Sequence, residues 1–293
     1  MHFNNPIRKA VLAGYLTASR PYRAWVNARR AKTGSAPLIV LFYHRIADDR
    51  ASSWTHSNRL FRKQITWLQL HCEMISLEEV QRRMRNGFNE RIAACITFDD
   101  GYAENCDQAI PLLIRENIPC TYFVSTQHVM EGKQFPHDLK QNAVGRPNTI
   151  DQLRWMATSG IEIGAHTRTH ADLGTISDEV KLYDEVVVAG EDLQKAIRTP
   201  IRHFAFPYGM PTNLNARAFQ MAFEYGYEGV CSAFGAYNFP GDDPFHVRRI
   251  HVDDMLRLKN FCTIDPRHLR RRINFEYQLP GQDSPKPASV VNS

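Results

Sequence analysis

Two adjacent carboxylates stand where an apolar run ends, in residues 96–102, which read ITFDDGY. If Asp99 and Asp100 were both buried, their negative charges would repel each other. This repulsion would force one of the two carboxyl groups to keep its proton. A divalent cation removes this conflict, because one carboxylate can bind the ion while the other acts as a base on ion-bound water. The alternative is that Asp99, Asp100 and Gly101 form only a turn.

Two histidines follow a second apolar run, in the segment GAHTRTH. His166 and His170 are four positions apart, so both can reach one ion from a single loop or helical turn. Two imidazoles and one Asp oxygen would make a three-ligand site that leaves room for water and substrate, as catalytic zinc requires. The alternative is that the two histidines cap a helix. Taken together, the two segments favour a catalytic metal site.

The elements that must position these residues form an alternating series from residue 37 onward. Apolar, strand-like runs occupy 38–44, 92–98, 120–126, 161–166, 203–207, 228–232 and 246–252. Helical patterns lie between them at 59–71, 77–85, 107–117, 150–159, 178–197 and 213–225. This alternation predicts a parallel α/β fold. About seven strand–helix units in roughly 230 residues favour a closed (β/α) barrel over an open sheet.

Polar residues that could take part in catalysis or binding directly follow the predicted strands. The apolar runs end at His44, at Asp99–Asp100, at His166 and at Pro207–Tyr208. In a (β/α) barrel the carboxyl ends of the strands share one face, and that face holds the active site. We therefore expect these four segments to converge on one site.

Three motifs in these segments resemble a known family. TFDDG, HxxxH and RxxxxPY, in this order, resemble the NodB-homology polysaccharide deacetylases of carbohydrate esterase family 4, over residues 37–255. The YHRI before TFDDGY and the form FAFPYG are most similar to the branch that deacetylates exopolysaccharide. The resemblance implies a distorted (β/α)7 barrel and metal-dependent removal of N-acetyl, and sometimes O-acetyl, groups from sugars.

The resemblance also implies a role for each site residue. Asp99 would be the general base, and Asp100 would bind the metal with His166 and His170. The backbone N–H of Tyr208 would help to hold the oxyanion. Zn²⁺ is the expected metal, with Co²⁺ or Ni²⁺ as alternatives. Metal-activated water would then attack the acetyl carbonyl while Asp99 takes a proton.

The third motif departs from the family pattern. Most members carry an arginine directly before the Pro-Pro-Tyr of this motif, where this chain has Ala205, while Arg202 fits only the looser RxxxxPY spacing. We expect Arg202 and Pro207 to contact the substrate. Asp138 in the FPHD segment is a further expected substrate contact, with an ordinary loop as the alternative.

The general acid is expected near the beginning of the barrel. No clear tryptophan-bearing fourth motif or LxH fifth motif follows Tyr208, and His251 is interpreted as strand surface or core. His44 ends the buried run LIVLFYH. Because the first and last strands of a closed barrel are neighbours, a circularly permuted motif would put His44 where the acid belongs. The alternative is a histidine hydrogen-bonded inside the barrel mouth.

The positive charge of the chain is concentrated at its N-terminal end. The chain has 36 Lys or Arg and 31 Asp or Glu. Residues 1–35 hold seven of the basic residues and no acidic one, so the remainder carries 29 basic and 31 acidic residues, a net charge of −2. This distribution disfavours general nucleic-acid binding. Residues 6–32 could form two amphipathic helices that either pack on the barrel or contact an anionic membrane surface.

The predicted organisation is a basic arm over residues 1–36, a deacetylase domain over 37–278 and a disordered tail over 279–293. No run of about 18 apolar residues predicts a membrane span, and no convincing signal peptide is present. The six cysteines show no regular spacing, which favours a reducing compartment. We expect a cytoplasmic protein that can contact the membrane through residues 1–35; the oligomeric state stays open.

The leading interpretation is a metal-dependent hydrolase that removes acetyl groups from N-acetylated sugars of a polysaccharide or glycan precursor. One alternative is a catalytically inactive, carbohydrate-binding barrel, and another is an amidase that acts on a non-sugar amide. The presence of both Asp99 and Asp100 disfavours the inactive barrel, because a binding module does not need a spare base beside a metal ligand.

Overall fold

The computed structural model describes residues 6–49, 52–140, 145–269 and 275–281, and within them parallel strands close into a barrel. The first strand pairs with both the second and the last, which closes a ring of seven. The predicted barrel is therefore confirmed. In chain order the strands are β1 Leu38–Tyr43, β2 Ala93–Phe98, β3 Cys120–Val124, β4 Glu162–Ala165, β5 His203–Ala205, β6 Gly229–Ser232 and β7 His246–His251.

Helices surround the barrel and agree with the predicted patterns to within a few residues at their ends. Gly160 and Gly226 follow two of these helices with positive φ angles of 88° and 103°, as expected for left-handed helix ends. The helices are α1 Pro6–Ala18, α2 Arg20–Lys32, α3 Asn58–His71, α4 Leu77–Asn86, α5 Ala109–Arg115, α6 Thr126–Glu131, α7 Pro136–Lys140, α8 Ile150–Thr158, α9 Glu179–Tyr183, α10 Ala189–Ile197, α11 Ala216–Tyr225, α12 Met255–Cys262 and α13 Pro266–Leu269.

Three short strands and one helical irregularity complete the framework. Arg45–Ile46 pairs with Thr55–His56 just beyond β1, at the carboxyl end of the barrel. Glu73–Met74 pairs with the first residues of β2, where β3 does not reach. A π-helical turn over Asp184–Val188 joins α9 to α10, so the two form one continuous helical segment.

The lower part of the barrel interior is filled with apolar side chains. Because side chains alternate along a strand, every second residue points inward. The buried interior cluster includes Leu38, Val40, Ala93, Cys95, Phe123, Ala205, Cys231 and Val247. By the same alternation, the next inward positions along β2 and β7 are Thr97, Asp99 and Arg249. The interior thus changes from apolar to polar as it approaches the carboxyl ends of the strands.

The N-terminal arm packs on the body of the protein. The buried Arg23 donates to the backbone oxygen of Asn260 at 2.8 Å and to its side-chain oxygen at 2.6 Å. Tyr15 donates to Asp265 at 3.1 Å. These bonds fix α1 and α2 against α12 and the residues that follow it. Among the residues that the structure describes, no helix combines the length and the apolar character needed to span a bilayer.

The predicted tail is described only in part. Residues 275–281 are placed on the body, where the ring of Tyr277 lies 4.1 Å from that of Phe219 and Leu279 is buried. Residues 282–293 lie outside the described part of the chain, so the predicted disorder there is not addressed. The bounds of the tail stay a prediction.

Candidate metal centre and catalytic site

The turn after β2 presents the two carboxylates. Asp100 and Gly101 both adopt positive φ angles, 73° and 100°, and an added side chain at Gly101 would lie 3.0 Å from Val124. A left-handed aspartate costs on the order of 1 kcal/mol and is found where the surroundings impose it. Asp99 is 3% exposed and Asp100 is 1% exposed. The turn therefore holds two acidic groups out of solvent at the mouth of the barrel.

Three side chains gather on one point of this mouth. Ligand atoms of Asp100, His166 and His170 all lie within 4.8 Å of one another. Asp100 Oδ1 is 3.5 Å from His166 Nε2 and 3.2 Å from His170 Nε2. Tetrahedral ligands about 2.1 Å from a zinc ion are about 3.4 Å apart, so the cluster has the dimensions of a metal site.

The protonation of the two histidines suits metal binding. His166 Nδ1 lies 2.7 Å from the backbone oxygen of Ala205, which can only accept, so Nδ1 carries the proton and Nε2 offers its lone pair. Burial lowers the pKa of His166 to about 4, which keeps the ring neutral at pH 7. Burial also acts to lower the pKa of His170, but Asp100 outweighs it and the net shift is upward. A bound cation would displace that proton.

Asp99 is held apart from this cluster by an arginine of β7. Arg249 Nη1 donates to Asp99 Oδ1 at 2.6 Å, and Nη2 donates to Oδ2 at 3.0 Å. The guanidinium is fully buried and lies 5.0 Å from the ring of Phe42. Burial alone would raise the pKa of Asp99, but Arg249 and the nearby histidines outweigh it and lower the pKa. Asp99 is therefore an oriented, ionised carboxylate, as a general base must be.

Sequence reasoning did not find Arg249. The family pattern places an arginine at the third motif. In this chain that position is Ala205, which lies in the apolar interior cluster. Arg202 does not take that place: it precedes β5, at the opposite end of the barrel, and pairs with Glu78 at 2.8 Å and Glu162 at 3.3 Å. The structure therefore does not bring Arg202 to the mouth, and its contact with substrate stays a prediction. The available signal was a charged residue at an inward position of the run HVRRIHV.

Tyr208 follows β5 and lies beside the metal cluster. Its ring is 57% exposed, and its centroid is 5.1 Å from that of His170. Tyr208 and Gly209 have positive φ angles of 59° and 62°, and an added side chain at Gly209 would lie 2.6 Å from the backbone nitrogen of Ala233. This tight turn brings Tyr208 and the buried Pro207 to the mouth, as the motif implied.

A cluster of aromatic rings and imidazoles forms another wall of the mouth. The ring of His44 lies 4.7 Å from that of Trp54 and 6.2 Å from that of His251. His251 Nδ1 is 3.0 Å from a carboxylate oxygen of Asp253, which Arg257 also contacts at 2.7 Å. His251 therefore lies inside the mouth and not on the outer surface of β7. Neither His251 nor Trp54 was assigned to the site from the sequence.

The electrostatic surroundings of His44 link it to the carboxylates. Burial lowers the pKa of His44 to about 4, while the charges of Asp100 and Asp99 act to raise it. Within the described residues, the buried Nδ1 of His44 has no hydrogen-bond partner. His44 is thus a partly buried imidazole that faces the reacting region without a fixed structural bond at this atom.

Asp138 is buried beside the turn that carries Asp100. It is 1% exposed and accepts a hydrogen bond from the hydroxyl of Tyr102. A side chain added at Gly145 would lie 2.3 Å from its Oδ2. These contacts bury the carboxylate behind the turn that carries Asp100. Asp138 lies in helix α7 and not in an ordinary loop, and its contact with substrate stays a prediction.

Comparison with known sequences agrees with the motifs. A family profile for polysaccharide deacetylases matches residues 87–230. The poly-beta-1,6-N-acetyl-D-glucosamine N-deacetylase of Staphylococcus aureus is 24% identical over 252 residues, which span 78% of this chain and 83% of that protein. YxkH of Bacillus subtilis is 27% identical over 174 residues, and the match spans 56% of each protein, so it covers little more than half the length of that relative.

Comparison with solved structures supports the fold. IcaB from Ammonifex degensii superposes with a TM-score of 0.63 at 22% identity, over 78% of this chain and 97% of that one. The Streptococcus pyogenes deacetylase PplD, in complex with acetate, superposes with a TM-score of 0.63 at 21% identity, over 74% of this chain and 93% of that one. The likeness at this level of identity concerns the barrel itself.

Proposed function

Because the chain carries a polysaccharide deacetylase domain, we propose that it is a metal-dependent hydrolase that removes acetyl groups from N-acetylated sugars of a polysaccharide or glycan precursor. One observation carries the proposal: a three-ligand cluster of Asp100, His166 and His170 lies next to a carboxylate, Asp99, that a buried arginine holds separately. A carbohydrate-binding barrel needs no such division of its two carboxylates. The S. aureus relatives suggest poly-β-1,6-N-acetylglucosamine as the first substrate to test.

The site residues divide the chemistry between them. A divalent cation held by Asp100, His166 and His170 would polarise the acetyl carbonyl and acidify water, for which Zn²⁺ is the first candidate and Co²⁺ or Ni²⁺ the next. Asp99 accepts the proton of the attacking water, and Arg249 keeps its carboxylate ionised and aimed. The backbone N–H of Tyr208 donates to the oxyanion that develops on the acetyl oxygen.

The departing amine must receive a proton, because an amide anion is a very poor leaving group. His44 is the proposed donor: the charges of Asp99 and Asp100 reach its ring, and because burial leaves the ring neutral at pH 7, it would first take up a proton during the reaction and then pass it to the amine. His251 is the second candidate on a specific observation: its Nδ1 contacts Asp253, which would orient the ring as the carboxylate of a catalytic triad does. The two assignments predict different responses to the leaving group, and the Discussion gives the experiment.

The proposal is tested by acetate release from a panel of N-acetylglucosamine oligomers with β-1,6 and β-1,4 linkages. Purified chain reconstituted with Zn²⁺, Co²⁺ or Ni²⁺ should release acetate and hold about one ion. The His166→Ala, His170→Ala double variant should lose both the ion and the activity. His71→Ala, which removes an exposed histidine of α3, is the matched control and should keep both.

Three results would count against the proposal. Equal metal content in the wild type and the double variant would show that the cluster does not hold the ion. Acetate released from a non-sugar N-acetyl amide, with every sugar oligomer left intact, would favour the amidase alternative. Metal binding without any turnover would favour the inactive carbohydrate-binding barrel.

A further inference from the structure

Helices α1 and α2 behave as one interrupted helix. Ser19, between them, donates from its backbone nitrogen to Tyr15 at 2.9 Å and accepts from the backbone nitrogen of Arg23 at 2.9 Å. Pro21 has no N–H to donate, which accounts for the break at this point. Helical periodicity therefore runs through the junction, and the two helices can be treated as a single surface.

This surface has two faces. The docked face contacts the body through Tyr15, Arg23 and the buried Val26. On a second face, eight residues recur at the helical spacing of three or four, and all of them are exposed. We call this face the arm stripe. It consists of Ile7, Val11, Gly14, Ala18, Tyr22, Trp25, Arg29 and Lys32.

The arm stripe is mostly apolar and aromatic although it faces outward. Ile7 is 72% exposed, Val11 is 67% exposed and Trp25 is 55% exposed. The ring of Trp25 lies 5.9 Å from that of Tyr22, and the guanidinium of Arg29 lies over it at 5.6 Å. Aliphatic residues followed by amphipathic aromatics and basic side chains are the pattern of a helix that lies in the membrane interface.

The charge of the arm identifies the kind of partner. No acidic residue occurs in residues 1–35. Of the seven basic residues, Arg23 is buried and Arg30 is half-buried, each in contact with the body. The remaining five are exposed and leave the arm positively charged. They are Arg8, Lys9, Arg20, Arg29 and Lys32. We propose that the arm stripe binds the surface of an anionic lipid bilayer, with its apolar residues in the headgroup region.

The stripe begins next to the mouth of the barrel. Lys9 Nζ lies 4.0 Å from a carboxylate oxygen of Asp254, and the neighbouring Asp253 contacts His251 inside the mouth. Because Lys9 lies on the docked side of α1, a bilayer against the stripe would be separated from the rim of the site by about the width of one helix. This placement, which rests on the proposed function, assigns the substrate to glycans held close to a membrane, whereas the lipid contact itself does not depend on the activity.

Vesicle sedimentation tests the lipid contact with the full chain. The protein should bind vesicles of phosphatidylglycerol at least tenfold more tightly than vesicles of phosphatidylcholine, and 0.5 M salt should weaken the binding. Val11→Glu with Trp25→Glu should weaken binding by at least tenfold. Leu70→Glu replaces a comparably exposed apolar residue on α3 and should bind as the wild type does. Equal binding by all three proteins would overturn the proposal.

Two further measurements separate the competing outcomes. Sedimentation velocity that shows a dimer, lost in the Val11→Glu, Trp25→Glu variant and accompanied by no vesicle binding, would assign the stripe to a second copy and overturn the proposal. Acetate release from a soluble N-acetylglucosamine oligomer should be equal in the wild type and this variant. A chain that binds vesicles but never releases acetate would contradict the proposed function and leave the lipid contact supported.

Discussion

The two ends of the barrel contain the same kinds of polar residue in different states. At the amino end of the strands, His203 Nδ1 lies 2.6 Å from Glu162 and its Nε2 lies 2.7 Å from Gln81. Gln81 in turn donates to the backbone oxygens of Glu228 and Pro244, at 2.9 Å each. Both ring nitrogens of His203 have hydrogen-bond partners within the fold, so this network has a structural role.

At the mouth Asp99 is paired with Arg249, but two histidines are not fully paired among the described residues. Within the described residues, the buried His44 Nδ1 and His251 Nε2 have no hydrogen-bond partner. Buried polar atoms are normally paired, so groups left open in this way need another explanation. The comparison teaches that a buried histidine beside a carboxylate says little by itself. The informative observation is whether the second ring nitrogen of the histidine has a hydrogen-bond partner within the protein. If it has one, the cluster is structural; if it has none, the histidine can bind a ligand or transfer a proton.

The largest expected effect comes from removing one carboxylate at each end. Asp99→Asn should lower kcat/KM for an N-acetyl substrate by about 10²-fold or more, the usual scale for a general base, and should keep the metal. Glu162→Gln, its counterpart at the amino end, should leave kcat/KM nearly unchanged and lower the free energy of unfolding by about 1–3 kcal/mol. Kinetics, elemental analysis and denaturant titration of both variants measure these differences.

The roles of the two adjacent carboxylates are tested by the same series. Asp100→Asn should lose metal affinity first, because its carboxylate is in the ligand cluster. If added metal restores Asp99→Asn but not Asp100→Asn, the roles are reversed. If Glu162→Gln loses as much activity as Asp99→Asn, the contrast between the two ends of the barrel is wrong.

A smaller effect should distinguish the two histidines that are open at the mouth. His44→Asn should reduce kcat strongly on an N-acetyl sugar and much less on an activated aryl acetate, whose phenolate leaves without a proton. His251→Asn should show little dependence on the leaving group. Metal content should be unchanged in both variants, because neither residue belongs to the ligand cluster. The reverse pattern would assign the acid to His251, with Asp253 as its partner.

The smallest effect concerns stability in acid. Burial lowers the pKa of His44 and of His166 to about 4, below the value near 6.5 expected in the unfolded chain. Between pH 6.5 and 4 the unfolded chain therefore binds more protons, and the free energy of unfolding of metal-free protein should fall as pH falls. The expected slope is at most about 1.4 kcal/mol per pH unit for each histidine.

Denaturant titrations between pH 7 and pH 4.5 measure this slope. His44→Asn should reduce the slope of the free energy of unfolding against pH by up to about 1.4 kcal/mol per pH unit. His71→Asn, at an exposed position, should leave this slope unchanged. An unchanged slope in His44→Asn would show that burial does not depress the pKa of His44.

Much of the fold follows from local patterns. The seven apolar runs became the seven barrel strands, because each is short, apolar and bounded by a helical pattern. The convergence of Asp99, His166 and Tyr208 also followed, since parallel strands put their carboxyl ends on one face. The metal cluster was predictable for the same reason: its members directly follow two strands, and their spacing limits where they can point.

The rest depended on pairing that local patterns do not encode. Arg249 and His251 enter the mouth because β7 closes against β1 in a particular register, Phe42 opposite His251. A shift by one residue would turn both side chains outward. Arg202 precedes β5 and so lies at the opposite end of the barrel, a position that motif spacing alone does not reveal.

Closure of the ring by its last strand also sets an order of assembly. Asp99 meets Arg249 across 150 positions of sequence, and contacts between such distant segments form slowly. A nascent chain that has emerged through β4 and the loop after it already contains the three groups of the metal cluster, while the guanidinium that holds the base has yet to be synthesised. On the proposed function, a cation bound at this stage would stabilise a partial barrel before Arg249 is present to orient Asp99.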